Sequence, residues 1–367
     1  MRILVTGSKG FIAKNLLIHL SRTDGFEIAA LDRKASREDW ISQLQKADIV
    51  VHLAGANRPP DQSGFQQDNA DLTRFIVDEL EKRKRSYKLI FSSSTQVLQD
   101  NPYGKSKREA EDYIRENVRT GTAIIYRLPG AFGKWCKPNY NSVVATFCHN
   151  IAHHSPVEVR DPDFELTLVY VDDIIRSFLR HLRQEEESGV IEDKVRPEYS
   201  ITLGRLAATI QSFQTNRNTL FIPNVGDDLE KALYSTWLTY LPADEFSYDL
   251  ELRTDTRGSL FELLKSRTGG QIFISTTLPG ITRGNHFHHT KTEKFVVIQG
   301  KGRIQFRSLQ NNAKAEYEVS GSKPQVVDIP PGYIHNITNT GEEIMITLFW
   351  SNEVFDPQNP DTFFEKV

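Results

Sequence analysis

Sulfur is scarce in this sequence: two cysteines and two methionines in 367 residues. Two thiols, Cys136 and Cys148, cannot build the disulfide framework of a secreted domain. A cytoplasmic protein with incidental thiols is the expectation. Long hydrophobic runs are also missing. None approaches the roughly 20 apolar residues that span a bilayer as a helix. The chain opens Met1-Arg2-Ile3-Leu4-Val5-Thr6-Gly7, which reads as a buried strand entering a glycine turn, so no secretory leader is expected. Nor is there an excess of one charge. Forty-five Lys and Arg stand against 48 Asp and Glu, a net charge of −3, which excludes the broad basic footprint of a nucleic-acid or anionic-membrane binder. Repeats and low-complexity tracts are absent. What remains is an ordinary globular composition, 38% hydrophobic and 25% charged, long enough for two domains with their own cores.

Two patterns divide the chain. From Arg2 to about Asp172, short apolar runs alternate with amphipathic stretches. R-I-L-V, E-I-A-A-L, I-V-V-H-L, K-L-I-F and A-I-I-Y-R read as strands, with helical spacing between them, as in 15–20 and 72–80. That alternation predicts a doubly wound parallel sheet of Rossmann type. Residues from about Val190 to Glu245 mix helical spacing with a Pro/Asn/Asp-rich loop and read as a substrate lobe with a connector. From about Phe246 strand-like runs follow one another with only Gly and Pro turns between them, predicting a small all-β barrel. The expected organisation is an α/β domain over 1–245 and a β-barrel domain over 246–367.

The first domain carries T-G-S-K-G-F-I-A, from Thr6 to Ala13. Gly7 and Gly10, between a strand and a helix, let the backbone approach a pyrophosphate at the helix N-terminus, and Ala13 is small enough for helix–sheet packing. The next strand ends in Asp32-Arg33-Lys34. An acid there suits the ribose hydroxyl of NAD, and an Arg suits the 2′-phosphate of NADP. With two adjacent cations, NADPH is the expected cofactor. Tyr103 and Lys107 lie four apart; if Asn101-Pro102 opens a helix, both face one side. A neighbouring cation would lower the phenol's pKa and make it a usable acid. Ser94, in F-S-S-S-T at a strand end, can hydrogen-bond a substrate carbonyl.

In order and spacing these motifs resemble the extended short-chain dehydrogenase/reductase family. Further matches are His52-Leu53-Ala54-Gly55, Asn69, and Tyr170-Val171-Asp172-Asp173. The resemblance implies that Tyr103 is the proton donor, Lys107 its pKa partner and ribose anchor, and Ser94 the carbonyl orienter. It also implies a cofactor site formed by Gly7, Gly10, Phe11, Ile12, Arg33, Leu53, Ala54, Gly55 and Asn69. One departure stands out: where many sugar-nucleotide members have R-x-x-N, this chain has Arg127-Leu128-Pro129-Gly130.

The second domain holds G-x5-H-x-H-x4-E-x6-G from Gly280 to Gly300, then P-x-G-x2-H-x3-N from Pro330 to Asn339. His286 and His288, two apart on an expected strand, point to one face. With Glu293 and His335 they make three imidazoles and a carboxylate, a set suited to zinc, nickel or iron, with zinc the first choice. By strand alternation His289 faces the surface. The spacing resembles both cupin motifs, except that the glycine opening the second is displaced to Gly321. The competing reading is a His-rich cupin interior that holds no ion and uses a histidine as base.

Taken whole, the chain resembles the bifunctional, CapF-type capsular-polysaccharide enzymes of the UDP-N-acetyl-L-fucosamine pathway. The stretches carrying the likeness are Gly133–Val143, Leu229–Thr236, G-N-H-F-H-H-T-K-T-E-K-F and Phe355–Thr362. The resemblance implies a UDP-linked 4-keto-6-deoxy-N-acetyl sugar as substrate. The cupin domain would epimerise C3, and the reductase domain would reduce C4 with NADPH to a UDP-N-acetyl-6-deoxy-L-talosamine. Chemistry imposes the same order, because the C3–H is acidic only while C4 is a ketone. The epimerase base is either a histidine left free by the metal or Tyr333. A homodimer is expected by analogy with other cupins. Two alternatives stand: a monofunctional reductase whose cupin only dimerises, and a non-catalytic NADP-sensing protein.

Overall fold

The five apolar runs of the first half form β1 (Arg2–Thr6), β2 (Glu27–Leu31), β3 (Ile49–His52), β4 (Lys88–Ser94) and β5 (Thr122–Leu128). The molecule is described by a computed structural model covering residues 1–367. Two short strands follow, β6 (Gly130–Phe132) and β7 (Glu165–Tyr170), and then β8 (Gly189–Asp193) and β9 (Tyr199–Thr202). The main sheet has the order β2-β1-β3-β4-β5-β8, with every neighbour parallel. Here the structure corrects one expectation. Residues 190–193, read as the start of a lobe, are the sixth strand of this sheet. Val190 and Ile191 alone are apolar in this short, partly buried edge strand, so its pattern is too brief to read. β6, β7 and β9 form a separate three-stranded sheet.

Successive residues of a strand face opposite sides. In β1, Ile3 and Val5 enter one core with Leu16, Leu20, Ile174 and Phe178, while Leu4 enters another with Trp40, Leu44, Ile76 and Ile114. Helices therefore cover both faces, which is why these strands are apolar throughout. The strand order reverses between β1 and β3, and the crevice at their carboxyl ends is where such sheets bind ligands.

The chain divides into two compact units, Met1–Ile210 with Ala232–Leu241, and Gln211–Lys231 with Pro242–Val367. The division passes within the helices Leu203–Thr219 and Asp228–Leu238. In the second unit come β10 (Arg253–Asp255), β11 (Gly258–Ser266), β12 (Gly270–Thr277), β13 (Thr282–Phe287), β14 (Glu293–Gln299) and β15 (Lys301–Ser308). They are followed by β16 (Lys314–Ser320), β17 (Val327–Ile329), β18 (Tyr333–Asn339), β19 (Met345–Ser351) and β20 (Phe363–Phe364). Two sheets result, β10-β11-β12-β19-β14-β17 and β16-β15-β18-β13-β20. Phe295, Val297, Phe349 and Met345 from the first pack with Ile304, Phe306 and Ile337 from the second. The barrel interior is thus filled by side chains. No helix of the chain is long and apolar enough to cross a membrane.

Candidate active site and metal centre

In the first unit a cavity of about 520 Å³ opens at the sheet's carboxyl edge. Gly10, Phe11, Ile12, Leu53, Gly55, Ser94, Tyr103 and Lys107 all line it. Gly7 sits beneath at φ +66, and a Cβ there would lie 2.8 Å from the Ala54 backbone. Only glycine lets β1 turn this close to the strand beside it. The Thr6 hydroxyl accepts hydrogen bonds from the amides of Leu53 and Ala54, both 3.1 Å, so the segment after β3 is fastened to the end of β1. Gly10 then caps the helix Phe11–Leu20 without a side-chain cap, leaving its N-terminus open for an anion. These features fit the pyrophosphate of a dinucleotide.

Ala54 and Asn69 do not line the cavity. Ala54 backs Gly7. Asn69 is buried beneath, where its side chain accepts from Ala56 N (3.0 Å) and donates to Ala56 O (3.0 Å) and Ser106 Oγ (2.9 Å). Its amide is fully used in holding the loop that precedes it. Arg33 lies on the surface, paired with Asp68 at 2.6 Å, and Asp32 is paired with Lys9. Lys9, from the glycine loop itself, reaches the cavity and was missed in the sequence. So were Lys137, Tyr140 and Ser142, on a loop whose Trp135 and Asn139 adopt positive φ and so show no periodicity. Arg127 of R-L-P-G forms a two-pronged ion pair with buried Glu111, which also accepts from Ser93 at 2.6 Å.

The helix Pro102–Asn117 starts as expected. Asn101 caps it by accepting from Gly104 N at 2.7 Å, and Pro102 takes the first turn. Tyr103 and Lys107 consequently share a face. The expected acidification of the phenol by Lys107 is not found. Burial raises the Tyr103 pKa, and a hydrogen bond with Ser94 offsets this in part. Lys107 instead donates to Ser92 O at 2.9 Å and lies 4.8 Å over the Phe91 ring. Burial pulls its own pKa down to about 8, against a smaller opposing effect of Glu111. Burial, and not the lysine, decides the direction of the phenol's shift.

In the second unit, His286, His288, Glu293 and His335 come together with their ligand atoms within 4.8 Å of one another. β13 ends at Phe287, so His288 lies just past the strand. A bulge between Gly284 and His286, with Asn285 at φ +61, turns the segment. His289, also past the strand, is exposed. Nδ1 of His288 is 2.5 Å from Asp361 O, and Nδ1 of His335 is 3.1 Å from Tyr333 O. A carbonyl only accepts, so each Nδ1 carries the hydrogen and each neutral ring is left with a bare Nε2. Both bare nitrogens face Glu293 Oε2, at 3.2 and 3.3 Å. His335 Nε2 is buried with no hydrogen-bond partner. Nitrogens and a carboxylate held this way are satisfied by a proton on an imidazole or by a metal cation among them. Burial would lower the His288 pKa, but its contact with Glu293 raises it. Tetrahedral coordination with bonds of about 2.0–2.1 Å separates neighbouring ligand atoms by about 3.3 Å, so the donor set fits a divalent metal. Burial and the other two imidazoles press the His286 pKa down to about 4. Burial would raise the Glu293 pKa; with protons on the facing rings, hydrogen bonds from His288 and His335 hold it at about 2 instead. Asp361, which fixes the His288 ring, was not singled out in the sequence, lying some 70 residues away with no spacing to connect them.

A reductive site on an open α/β sheet, with its glycine turn and Tyr-Lys pair, defines a class, and comparison with known proteins agrees. Residues 3–193 match the NAD dependent epimerase/dehydratase family, and residues 253–363 match the polysaccharide biosynthesis C-terminal domain. The chain belongs to the NAD dependent epimerase/dehydratase family. It is 41% identical, over 99% of its length and 98% of the relative's, to a UDP-2-acetamido-2,6-beta-L-arabino-hexul-4-ose reductase of Pseudomonas aeruginosa. It is also similar to the capsular polysaccharide assembling protein CapF of Staphylococcus aureus, at 44% identity and a TM-score of 0.90 over all of both chains. A structure of CapF with the inhibitor 3-isopropenyl-tropolone matches at 41% identity and a TM-score of 0.86, again over all of both chains. The resemblance to CapF-type enzymes and the fold class expected from the sequence are borne out.

Proposed function

We propose that this chain is a bifunctional sugar-nucleotide enzyme acting in capsule-precursor synthesis. Residues 246–367 epimerise C3 of a UDP-4-keto-6-deoxy-N-acetylhexosamine. Residues 1–245 then reduce C4, giving UDP-N-acetyl-6-deoxy-L-talosamine on the way to UDP-N-acetyl-L-fucosamine. The observation carrying this reading is the pair of bare imidazole nitrogens facing Glu293, in a chain that also has a Ser94-Tyr103-Lys107 cavity. The Pseudomonas relative is named as a reductase of a hexul-4-ose, which supports a ketone at C4. The inhibitor bound to CapF is a tropolone, a class of bidentate metal chelator, which supports a metal in the barrel.

At the reductive site NADPH supplies the hydride. Ser94 orients the C4 carbonyl, Tyr103 gives its proton to the oxygen as the alkoxide forms, and the Lys107 ammonium offsets the phenolate left behind. In the barrel, His286, His288, Glu293 and His335 would hold a cation, zinc being the first choice for this donor set, and it would supply Lewis acidity. The C3 proton is taken by a base for which a histidine left free by the metal and Tyr333 are the candidates; Tyr333 is 37% exposed. A homodimer and a cytoplasmic location belong to the same reading.

The test is NMR in heavy water with NADPH and the UDP-4-keto sugar. Loss of the C3 proton signal before a C4 carbinol proton appears is expected. Reduction without any deuterium at C3 would leave a monofunctional reductase.

A further inference from the structure

β20 pairs with β13 beside the ligands, Phe364 opposite His286 and Phe363 opposite Phe287. Asp361 lies just before it, at φ +41. Its carboxylate accepts from the amides of His289, Thr290 and Lys291, each 2.9 Å, and from the Thr290 hydroxyl at 3.0 Å. The turn leaving His288 is thereby closed around one side chain. The carbonyl of the same residue accepts from His288 Nδ1 at 2.5 Å. On either side, Lys291 Nζ donates to Pro360 O at 2.7 Å and Glu365 N to Asn285 O at 3.0 Å. Residues 360–365 thus form a strap tied to both ends of the His-x-His segment.

We propose that Asp361 is a positioning residue of the barrel's metal centre, its carboxylate locking the turn after His288 so that its carbonyl presents His288 Nε2 to the cation. This deepens the proposed function and rests on its metal reading. The hydrogen bond to the far ring nitrogen of a histidine ligand sets its tautomer and orientation. Here the acceptor is a backbone carbonyl, so its position depends on residue 361 staying left-handed. Aspartate and asparagine are among the few side chains that tolerate this region. Four hydrogen bonds to the carboxylate keep it there. Loss of the carboxylate should therefore weaken metal binding although no ligand is removed.

The experiment uses the full-length protein, stripped of metal and titrated with Co²⁺. Asp361→Gly removes the carboxylate but accepts a positive φ without strain; Asp361→Asn keeps the backbone preference and one acceptor oxygen. The glycine variant is expected to bind Co²⁺ about 10–100-fold more weakly, with a shifted visible ligand-field band. The asparagine variant should show a smaller loss in the same direction. Unchanged NADPH affinity in both reports that the first unit is intact. A glycine variant with wild-type Co²⁺ affinity and spectrum overturns the proposal while leaving the metal reading standing. If that variant does not fold, wild-type affinity in the asparagine variant overturns it equally. A wild-type protein that binds no Co²⁺ overturns the metal reading and the proposal with it.

Discussion

Lys107 is the residue whose environment is most at odds with its charge. It is 5% exposed and its ammonium meets one carbonyl and a ring face. Its folded pKa, about 8, lies below the ordinary 10.5, so the unfolded chain holds the proton over that interval and the folded chain does not. Stability contributed by this group therefore rises with pH from about 8 to 10.5, and the cost of burying the charge is fully felt below 8. Lys107→Met should raise the stability of the cofactor-free protein at pH 7 by about 2–4 kcal/mol and flatten its dependence above pH 8. Denaturant melts at pH 7 and 10 check both. Arg33 presents the opposite case. It is exposed and holds one surface ion pair with Asp68, of a kind worth little. It can leave that pair for a 2′-phosphate at small cost. Arg33→Ala is accordingly expected to weaken NADPH binding while leaving NADH binding near wild type; equal losses for both would remove Arg33 from cofactor selection.

At the scale of elements, the site depends on how closely β1 and β3 approach. Gly7 permits the approach, and Thr6 and Asn69 fasten it. A methyl at position 7 would meet the Ala54 backbone at 2.8 Å in a φ that side chains avoid. Gly7→Ala should lower stability by about 1–3 kcal/mol and weaken NADPH binding, read by melting and by fluorescence titration. A variant unchanged in both would show that the loop has slack the packing does not suggest. In the barrel the corresponding element is the bulged end of β13, where Asn285 at φ +61 lets His286 and His288 converge although one lies outside the strand. Alternation alone would have aligned the rings; the bulge and the strap together aim them.

On the scale of the whole molecule, two chemistries in one chain should separate without cutting it. Tyr103→Phe in the full-length protein is expected to slow NADPH oxidation about 10²–10⁴-fold while deuterium still enters C3. Chelation should do the reverse, stopping exchange while NADPH affinity stays at the wild-type value. If both treatments abolish both activities together, the division of labour between the two units is wrong. Cutting near residue 246 would be a poorer test, because Gln211–Lys231 group with the second unit.

Strands β1 to β5, the helix opened by Asn101-Pro102 and the candidate ligands His286, His288, Glu293 and His335 were all legible in the sequence. Each follows from a local rule: apolar runs between amphipathic stretches, a capping residue before a proline, ligand types at strand and turn spacing. The edge strand β8 was not, because an exposed edge lacks the apolar pattern that marks a buried strand. Whether Lys107 would acidify Tyr103 could not be read either. Spacing puts the two on one face, but burial decides the sign of the shift, and burial is a property of everything packed around them. That Asn69 also supports a loop is visible only in the fold, which reveals which groups its amide meets. Asp361 is the clearest case of all. Sequence determines that it is an aspartate before Thr362; the pairing of β20 with β13 alone brings it to His288, because hydrogen bonds between residues 73 apart follow from strand register and leave no periodic trace in the chain.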